Sequence, residues 1–196
     1  MRATLTKNKI IGLDMDGVII DHTVNRIRVA KELGYALAPE ETASDVMKKK
    51  VPKETYDKIQ KVLYDDPAVA YSPPVMLGAK AGLESLRASG TQFYLISRRK
   101  NPLVGYKLLK KRGLWPRYFN ETNAFFVKTK EAKEEKAKEL GVVVYLDDQP
   151  SVLEKLVSLD HRFLFDPLRA HDTYAEYDVH KKIRSWPEFI ETIQSL

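Results

Sequence analysis

The sequence predicts an α/β protein in which a Rossmann-like, doubly wound parallel sheet carries an inserted all-helical cap. In the second half of the 196-residue chain, short, almost continuously apolar segments alternate with segments of helical spacing, as in a parallel sheet covered on both faces. About 55 residues with only helical spacing interrupt this alternation after the first apolar segment. We therefore expect a core domain formed by residues 1–17 and 76–196, and a helical cap formed by residues 18–75.

The elements of the first half follow from apolar runs, helical spacing and prolines. Residues 9–13 end in the turn sequence Asp14-Met15-Asp16-Gly17, which predicts a buried strand and a sharp turn. Apolar residues recur every three or four positions in three segments, which are predicted to be helices: 21–33, 40–49 and 53–64. Three prolines predict a loop over 65–74, and a helix is predicted over 76–88, before Gly90.

The second half alternates regularly between strands and helices. Strands are predicted at 92–96, 124–127, 142–146 and 162–165. Helices are predicted at 102–112, 131–140, 151–159 and 187–194. Gly113 and Gly141 follow the first two of these helices as stop signals, and the connections between strands are expected to be right-handed.

The composition excludes several classes of protein. Hydrophobic residues make up 43% of the chain, which supports a sizeable core, and Cys is absent, which excludes disulfides, thiolate metal sites and a cysteine nucleophile. No apolar run approaches the roughly 18–20 residues that a membrane span needs. The first ten residues carry three basic residues without a long apolar segment, so we predict no signal peptide, no membrane partner and a cytoplasmic location. The oligomeric state is not indicated.

The net charge of +6 has a local origin. Residues 18–75 hold nine basic and nine acidic residues, whereas residues 98–112 hold seven basic residues and no acid. Four of these seven are expected to form a solvated helix face: Lys107, Lys110, Lys111 and Arg112. The basic run raises the alternative of a nucleic-acid-binding or end-processing protein, but aromatic residues are not interleaved with it, so we favour a small-molecule partner.

Acidic and hydroxyl side chains follow three of the predicted strands. They are Asp14, Asp16, Ser97, Asp147 and Asp148. The carboxyl ends of parallel strands meet at one edge of the sheet, where such folds bind ligands. Four carboxylates at one edge repel one another unless a cation lies among them, and an all-oxygen ligand set favours Mg²⁺. A carboxylate can also attack phosphorus as a nucleophile.

These segments resemble the sequence motifs of the haloacid dehalogenase-like superfamily of phosphatases. Residues 10–18, an apolar strand with Asp14, Asp16 and Gly17, resemble the first motif, and residues 95–97 and 146–148 resemble the second motif and the double-acid fourth motif. The lysine-helix-strand-acid arrangement of 133–148 resembles the third. Residues 162–166 and 179–186 resemble the 5′(3′)-deoxyribonucleotidase-like branch. The cap would then have the C1-type position, between the first two motifs.

The resemblance implies a role for each matching residue. Asp14 would be the nucleophile, and Asp16 the general acid and then the base, with its backbone carbonyl on the metal. Ser97 would bind a phosphoryl oxygen, and Lys133 would offset negative charge, although Lys128 and Lys130 are left open for this role. The implied metal ligands are Asp14, Asp16, Asp147 and Asp148, and which of the last two binds directly is left open.

Further residues are candidates by position alone. Arg98 and Arg99 follow Ser97 and are candidate substrate-binding residues, because arginine suits phosphate. Substrate contact is an alternative for His22 and residues 48–50, for which we favour a structural or solvated position.

The expected function is a Mg²⁺-dependent phosphatase that acts on a small phosphomonoester through an aspartyl-phosphate. The substrate would be a nucleoside monophosphate by resemblance to the nucleotidase-like branch, or alternatively a sugar or other metabolite phosphate. Because Asp16 is present, phosphatase chemistry is favoured over dehalogenation. A catalytically silent regulatory protein of the same fold is a third possibility.

Overall fold

A sheet of six parallel strands forms the centre of the structure, a computed structural model that describes residues 9–177 and 180–196. The strands are β1 (Ile11–Leu13), β2 (Phe93–Arg98), β3 (Ala124–Val127), β4 (Val144–Asp147), β5 (His161–Phe165) and β6 (Lys181–Ile183). They lie in the order β3-β2-β1-β4-β5-β6, and Leu13 of β1 is in register with Leu95 and Leu146 of its two neighbours. This doubly wound order confirms the predicted fold class and makes the end of β1 the topological switch point.

Helices surround the sheet and fill the segment between β1 and β2. They are α1 (Thr23–Glu32), α2 (Ser44–Lys50), α3 (Lys53–Asp65), α4 (Pro67–Ala70), α5 (Ala79–Ala88), α6 (Pro102–Lys111), α7 (Lys130–Glu139), α8 (Pro150–Leu153) and α9 (Trp186–Ser195). Two 3₁₀ turns occur at Pro39–Thr42 and Ala175–Tyr177. None of the helices within these described ranges is long and apolar enough to cross a membrane.

Alternate strand residues pack on opposite faces of the sheet. Leu95, Leu146 and Phe163 belong to the larger cluster of buried side chains, whereas Ile96 and Tyr145 belong to a second cluster on the other face. Trp186 is 0% exposed in the larger cluster, as expected for an anchor of the last helix. Its indole N–H donates to a backbone carbonyl at 2.9 Å.

The helices between β1 and α5 enclose a third cluster of buried side chains. Its members come from α1 to α4 and the connections between them: Val29, Ala30, Leu37, Met47, Val51, Ile59, Leu63 and Val69. Val18, Ile19 and Ile20 instead pack in the larger cluster of the sheet. The segment that follows β1 therefore contributes first to the sheet's core and then to a core of its own.

Several predicted elements differ from the structure. The predicted loop at 65–74 contains α4, because the Asp66 carboxylate accepts the backbone N–H of Ala68 at 2.9 Å and Pro67 occupies the first helical position. The helix predicted at 151–159 ends at Leu153, whose carbonyl accepts from the Arg162 guanidinium at 3.2 Å.

The C-terminal region adds an element that was not predicted. Strand β6 was missed because only Ile183 of its three residues is apolar. Residues 1–8, on which the signal-peptide prediction rests, lie outside the described residues, as does Val179 of the segment that resembles the nucleotidase-like branch.

Candidate active site

The turn after β1 places two carboxylates at the switch point. Asp14 and Asp16 are both buried, and the backbone N–H of Asp14 donates to the Leu146 carbonyl at 3.0 Å, which extends the pairing of β1 with β4. Gly17 has a φ of +87°, and a Cβ at this position would lie 2.2 Å from Oδ2 of Asp148. Glycine is therefore required both by the backbone conformation and by the close approach of the two acidic loops.

Lys133 joins the carboxylates of the two central strands. It lies on α7, is 1% exposed, and its Nζ donates to Oδ1 of Asp14 at 2.8 Å and to Oδ2 of Asp147 at 2.7 Å. Of the other two candidate lysines, Lys128 is exposed and Lys130 is partly buried. Neither of these two hydrogen-bonds to a carboxylate of the site within the described residues.

Three of the predicted metal ligands converge. One oxygen from each of Asp14, Asp147 and Asp148 lies within 4.8 Å of the others. Burial raises the pKa of Asp147 to about 6, with Asp14 adding to the rise and Lys133 opposing it. Burial and the neighbouring Asp147 raise the pKa of Asp148 well above its usual range.

A divalent cation with oxygen ligands fits this cluster. Among the described residues, the buried Oδ1 of Asp148 has no hydrogen-bond donor. Burial and mutual repulsion both disfavour ionised carboxylates here, and a bound cation would remove that penalty. These side chains are therefore suited to hold a metal such as Mg²⁺.

The Asp16 carboxylate is engaged outside this cluster. Its Oδ1 accepts from Nε2 of His22 at 2.7 Å and from the Arg99 guanidinium at 2.6 Å, and its Oδ2 accepts from Nε of Arg99 at 3.2 Å. Burial opposes ionisation of Asp16, but Arg99 and His22 outweigh it and hold the pKa of Asp16 well below its usual range. The predicted metal contact of Asp16 is through its backbone carbonyl, so this side-chain pairing does not conflict with it.

The structure separates the predicted substrate-binding residues. Arg99 is buried against Asp16, whereas Arg98 is exposed at the end of β2. Ser97 is 1% exposed and, within the described residues, makes no side-chain hydrogen bond to the four carboxylates. Its contact with a phosphoryl oxygen stays a prediction.

A cavity of about 800 Å³ lies above the acidic edge. Asp14, Asp16 and Lys133 line its base, and residues of α3 and of the loops after β2 and β3 form its walls. His22 does not line this cavity: its Nε2 hydrogen-bonds to Oδ1 of Asp16 at 2.7 Å, and burial lowers its pKa.

Sequence reasoning missed the contribution of α3. Tyr56, Gln60 and Tyr64 all line the cavity, and their four-residue spacing places them on one helix face. That spacing was readable from the sequence, but nothing in it indicated that the face points to Asp14. Arg26 of α1 was also missed: it is buried, and its charge opposes the rise in the pKa of Asp148 that burial and Asp147 cause.

The basic run at 98–112 is divided by the fold. Arg98, Arg99 and Lys100 line the cavity, whereas Lys107, Lys110 and Lys111 are exposed on or near the end of α6. Arg112 is only partly exposed and donates to the Tyr71 carbonyl at 3.2 Å and to the Ser72 carbonyl.

Comparison with solved structures identifies the fold. A conserved haloacid dehalogenase-like protein of unknown function from Agrobacterium tumefaciens superposes with a TM-score of 0.69 at 18% identity, covering 96% of this chain and 99% of that one. A predicted phosphatase from Clostridium acetobutylicum gives 0.67 at 14% identity and covers 97% and 100%. A HAD family hydrolase from Deinococcus radiodurans, solved with bound phosphate and sodium, gives 0.65 at 14% identity and covers 96% and 95%.

These similarities show that the chain has the fold of the haloacid dehalogenase-like hydrolases. No protein-family model matches the sequence, and no curated protein matches it. The resemblance to the nucleotidase-like branch is not supported by a match of either kind.

Proposed function

We propose that this protein is a Mg²⁺-dependent phosphatase that hydrolyses a small phosphomonoester through a phosphorylated Asp14. The observation that carries the proposal is the set of hydrogen bonds from the buried Lys133 to Asp14 and Asp147. In the described part of the chain, Oδ1 of the neighbouring Asp148 has no hydrogen-bond donor. Burying a lysine and two carboxylates costs desolvation energy that their hydrogen bonds only partly offset, so the arrangement is poorly explained by stability alone. Phosphoryl transfer depends on placing positive charge around the phosphoryl group, which Lys133 supplies.

In the first step, a carboxylate oxygen of Asp14 attacks phosphorus and the bond from phosphorus to the ester oxygen breaks. Lys133 donates its hydrogen bond to Oδ1 of Asp14, so Oδ2 of Asp14 is available to attack phosphorus. Lys133 also keeps the carboxylate in one orientation. In the second step, water attacks phosphorus, the acyl-phosphate bond breaks, and Asp14 is regenerated with release of phosphate.

Asp16 is proposed to transfer the protons of both steps. It would protonate the leaving alkoxide and then accept a proton from the attacking water. In this structure Arg99 binds both oxygens of Asp16. A phosphoryl group in the cavity would compete for the Arg99 guanidinium, which would then bind the phosphoryl oxygens. Without Arg99, the pKa of Asp16 would rise, and Asp16 would take up from water the proton that it gives to the leaving alkoxide.

The proposed metal ligands are Asp14, Asp147, Asp148 and the backbone carbonyl of Asp16. When bound, the metal would supply positive charge that offsets the clustered carboxylates and the phosphoryl group. The three converging carboxylates support a divalent cation, and their oxygen atoms are ligands that favour Mg²⁺.

Residues 18–75 are proposed to act as a cap that selects the substrate and excludes water. Helices α2 and α3 supply wall residues of the cavity above Asp14, which supports this role. A nucleoside monophosphate is our first candidate substrate and a sugar phosphate our second, since the cavity is large enough for either class. A cytoplasmic location stays a prediction.

A phosphate-release assay tests the proposal. We expect a panel of nucleoside monophosphates, sugar phosphates and p-nitrophenyl phosphate to include esters that are hydrolysed with Mg²⁺ and not with EDTA. The Asp14→Asn variant should be inactive while its circular dichroism matches that of the wild type. Release that persists in EDTA, or in Asp14→Asn, would contradict the proposal.

A further inference from the structure

The cavity above Asp14 carries more positive than negative charge. Eight of its lining residues are lysine or arginine and four are aspartate. Three of these aspartates already form ion pairs with lining cations: Asp14 with Lys133, Asp16 with Arg99, and Asp57 with Lys53. Asp65 is the fourth lining aspartate, and its single negative charge is outnumbered by five further lining cations. These are Lys48, Lys61, Arg98, Lys100 and Lys128.

The remaining cations come from two different parts of the fold. Lys48 and Lys61 belong to α2 and α3, whereas Arg98 and Lys128 lie at the ends of β2 and β3. Lys48 pairs with Asp45 at 3.0 Å, but within the described residues Lys61, Arg98 and Lys128 form no ion pair. These cations are thus free to bind an anion in the cavity.

The pKa of nearby Lys130 supports the convergence of these charges. Burial makes the largest contribution to the lowered pKa of Lys130. Asp45 opposes this change, and Arg98 and Lys48 add to it. Arg98 and Lys48 belong to different parts of the fold, yet both line the cavity and both act electrostatically on Lys130.

The phosphoryl group that is transferred does not account for this charge. The four buried carboxylates at the base, the buried cations Lys133, Arg99 and Arg26, and a bound divalent metal together carry one positive charge. A doubly charged phosphoryl group then leaves a single negative charge, which is fewer than the positive charges of Lys61, Arg98 and Lys128 on the walls. The cavity volume of about 800 Å³ leaves room for a sizeable leaving group. Gln60, a lining residue, also has a buried Nε2 that lacks an acceptor among the described residues.

We propose that the leaving group of the substrate carries a second anionic group, a phosphate or a carboxylate, which binds between α3 and the ends of β2 and β3. This proposal rests on the proposed phosphatase function, and it ranks sugar bisphosphates and phosphorylated carboxylates above nucleoside monophosphates, whose leaving nucleoside is uncharged. It predicts that doubly anionic esters are better substrates than esters of the same size that carry the phosphoryl group alone, because Lys61, Arg98 and Lys128 would bind the second charge.

Two matched substrate pairs test the proposal and show whether the second anionic group is a carboxylate or a phosphate. Ethyl phosphate is compared with 2-phosphoglycolate for a carboxylate, and glucose 1-phosphate with glucose 1,6-bisphosphate for a phosphate. In at least one pair we expect kcat/KM to be about 10-fold higher or more for the doubly anionic member, with a ratio that falls as salt is raised. p-Nitrophenyl phosphate reports the underlying phosphatase activity.

Single substitutions on each side of the cavity provide the second readout. Lys61→Gln and Lys128→Gln remove one exposed charge each and should reduce the ratio within the preferred pair about 3- to 10-fold. Lys80→Gln is the matched control, because Lys80 is exposed on α5 and does not line the cavity. It should leave both the ratio and the hydrolysis of p-nitrophenyl phosphate unchanged.

Three outcomes would overturn the proposal, and a fourth would refute the function on which it rests. Ratios near one in both pairs, with Mg²⁺-dependent hydrolysis of p-nitrophenyl phosphate, would refute the second anion site and leave the phosphatase function intact. Ratios that do not change in Lys61→Gln and Lys128→Gln would assign the preference to other groups. A higher kcat/KM for a 5′-phosphorylated oligonucleotide than for any small ester would indicate a nucleic-acid substrate instead. No hydrolysis of any ester would refute the phosphatase function itself.

Discussion

Replacing Lys133 by methionine removes a buried charge and keeps a side chain of similar length. In the wild type this charge lies 2.8 Å from Asp14 and 2.7 Å from Asp147. The variant leaves both buried carboxylates without a cation. Removing one partner of a buried ion pair typically costs about 3–5 kcal/mol. For a domain of this size, about 4 kcal/mol corresponds to a decrease in Tm of about 8–16 °C.

The loss of stability should depend on pH in a defined direction. The two carboxylates raise the pKa of Lys133 well above its usual value despite burial, so the lysine is charged, and stabilises the fold, throughout the neutral range. In Lys133→Met the folded-state pKa of Asp147 should rise above its present value of about 6. A carboxyl group whose pKa is higher in the folded than in the unfolded protein destabilises the folded state as the pH rises. The loss of unfolding free energy in the variant, relative to the wild type, should therefore grow from about pH 5 to about pH 8.

Urea unfolding in EDTA across this pH range measures the effect. Lys130→Met is the matched control on the same helix, and because Lys130 does not contact a carboxylate of the site it should change the free energy of unfolding by about 0.5 kcal/mol or less. A deficit below about 1 kcal/mol for Lys133→Met, or one that shrinks toward high pH, would refute the inferred electrostatic role of Lys133.

Three further substitutions test separate parts of the account. Gly17→Ala should lower the free energy of unfolding by about 2 kcal/mol or more in urea titrations, because its φ is +87° and the new Cβ would lie 2.2 Å from Oδ2 of Asp148; an unchanged midpoint would contradict the required close approach. His22→Asn should reduce kcat about 10-fold more for an alkyl phosphate than for p-nitrophenyl phosphate, whose leaving group needs little protonation, because His22 orients Asp16. Equal losses on both esters would show that His22 does not act on protonation of the leaving group. Trp186→Phe should cost about 2–4 kcal/mol, measured by the same titration, because the indole is 0% exposed and its N–H donates to a buried carbonyl; a cost below about 1 kcal/mol would show that Trp186 does not anchor α9.

The sequence predicts the centre of this fold better than its edge. Strands β1, β2 and β4 are buried on both faces, so their apolar runs are unambiguous. Strand β6 lies at the edge and pairs on one side with β5. Ile183 is the single apolar residue of this strand, and the two lysines before it do not form the alternating apolar pattern that predicts a strand.

The same distinction applies to the candidate site. The approach of Asp14 to Asp147 and Asp148 follows from topology, because neighbouring parallel strands end at one edge. The orientation of a Lys- and Glu-rich helix does not follow, and only the packing of α7 turns Lys133 and Ala137 inward. The pairing of Asp16 with Arg99 joins residues 83 positions apart, so no local pattern could have predicted it.

Trapping of the phosphorylated enzyme tests the central claim most directly. The wild type is mixed with Mg²⁺ and its best substrate, quenched in acid within milliseconds, and digested for mass spectrometry. We expect a phosphoryl adduct of about 80 Da on the peptide that contains Asp14, and no adduct or turnover in Asp14→Asn. An adduct on a different residue, or wild-type turnover by Asp14→Asn, would contradict the claim that Asp14 is the nucleophile.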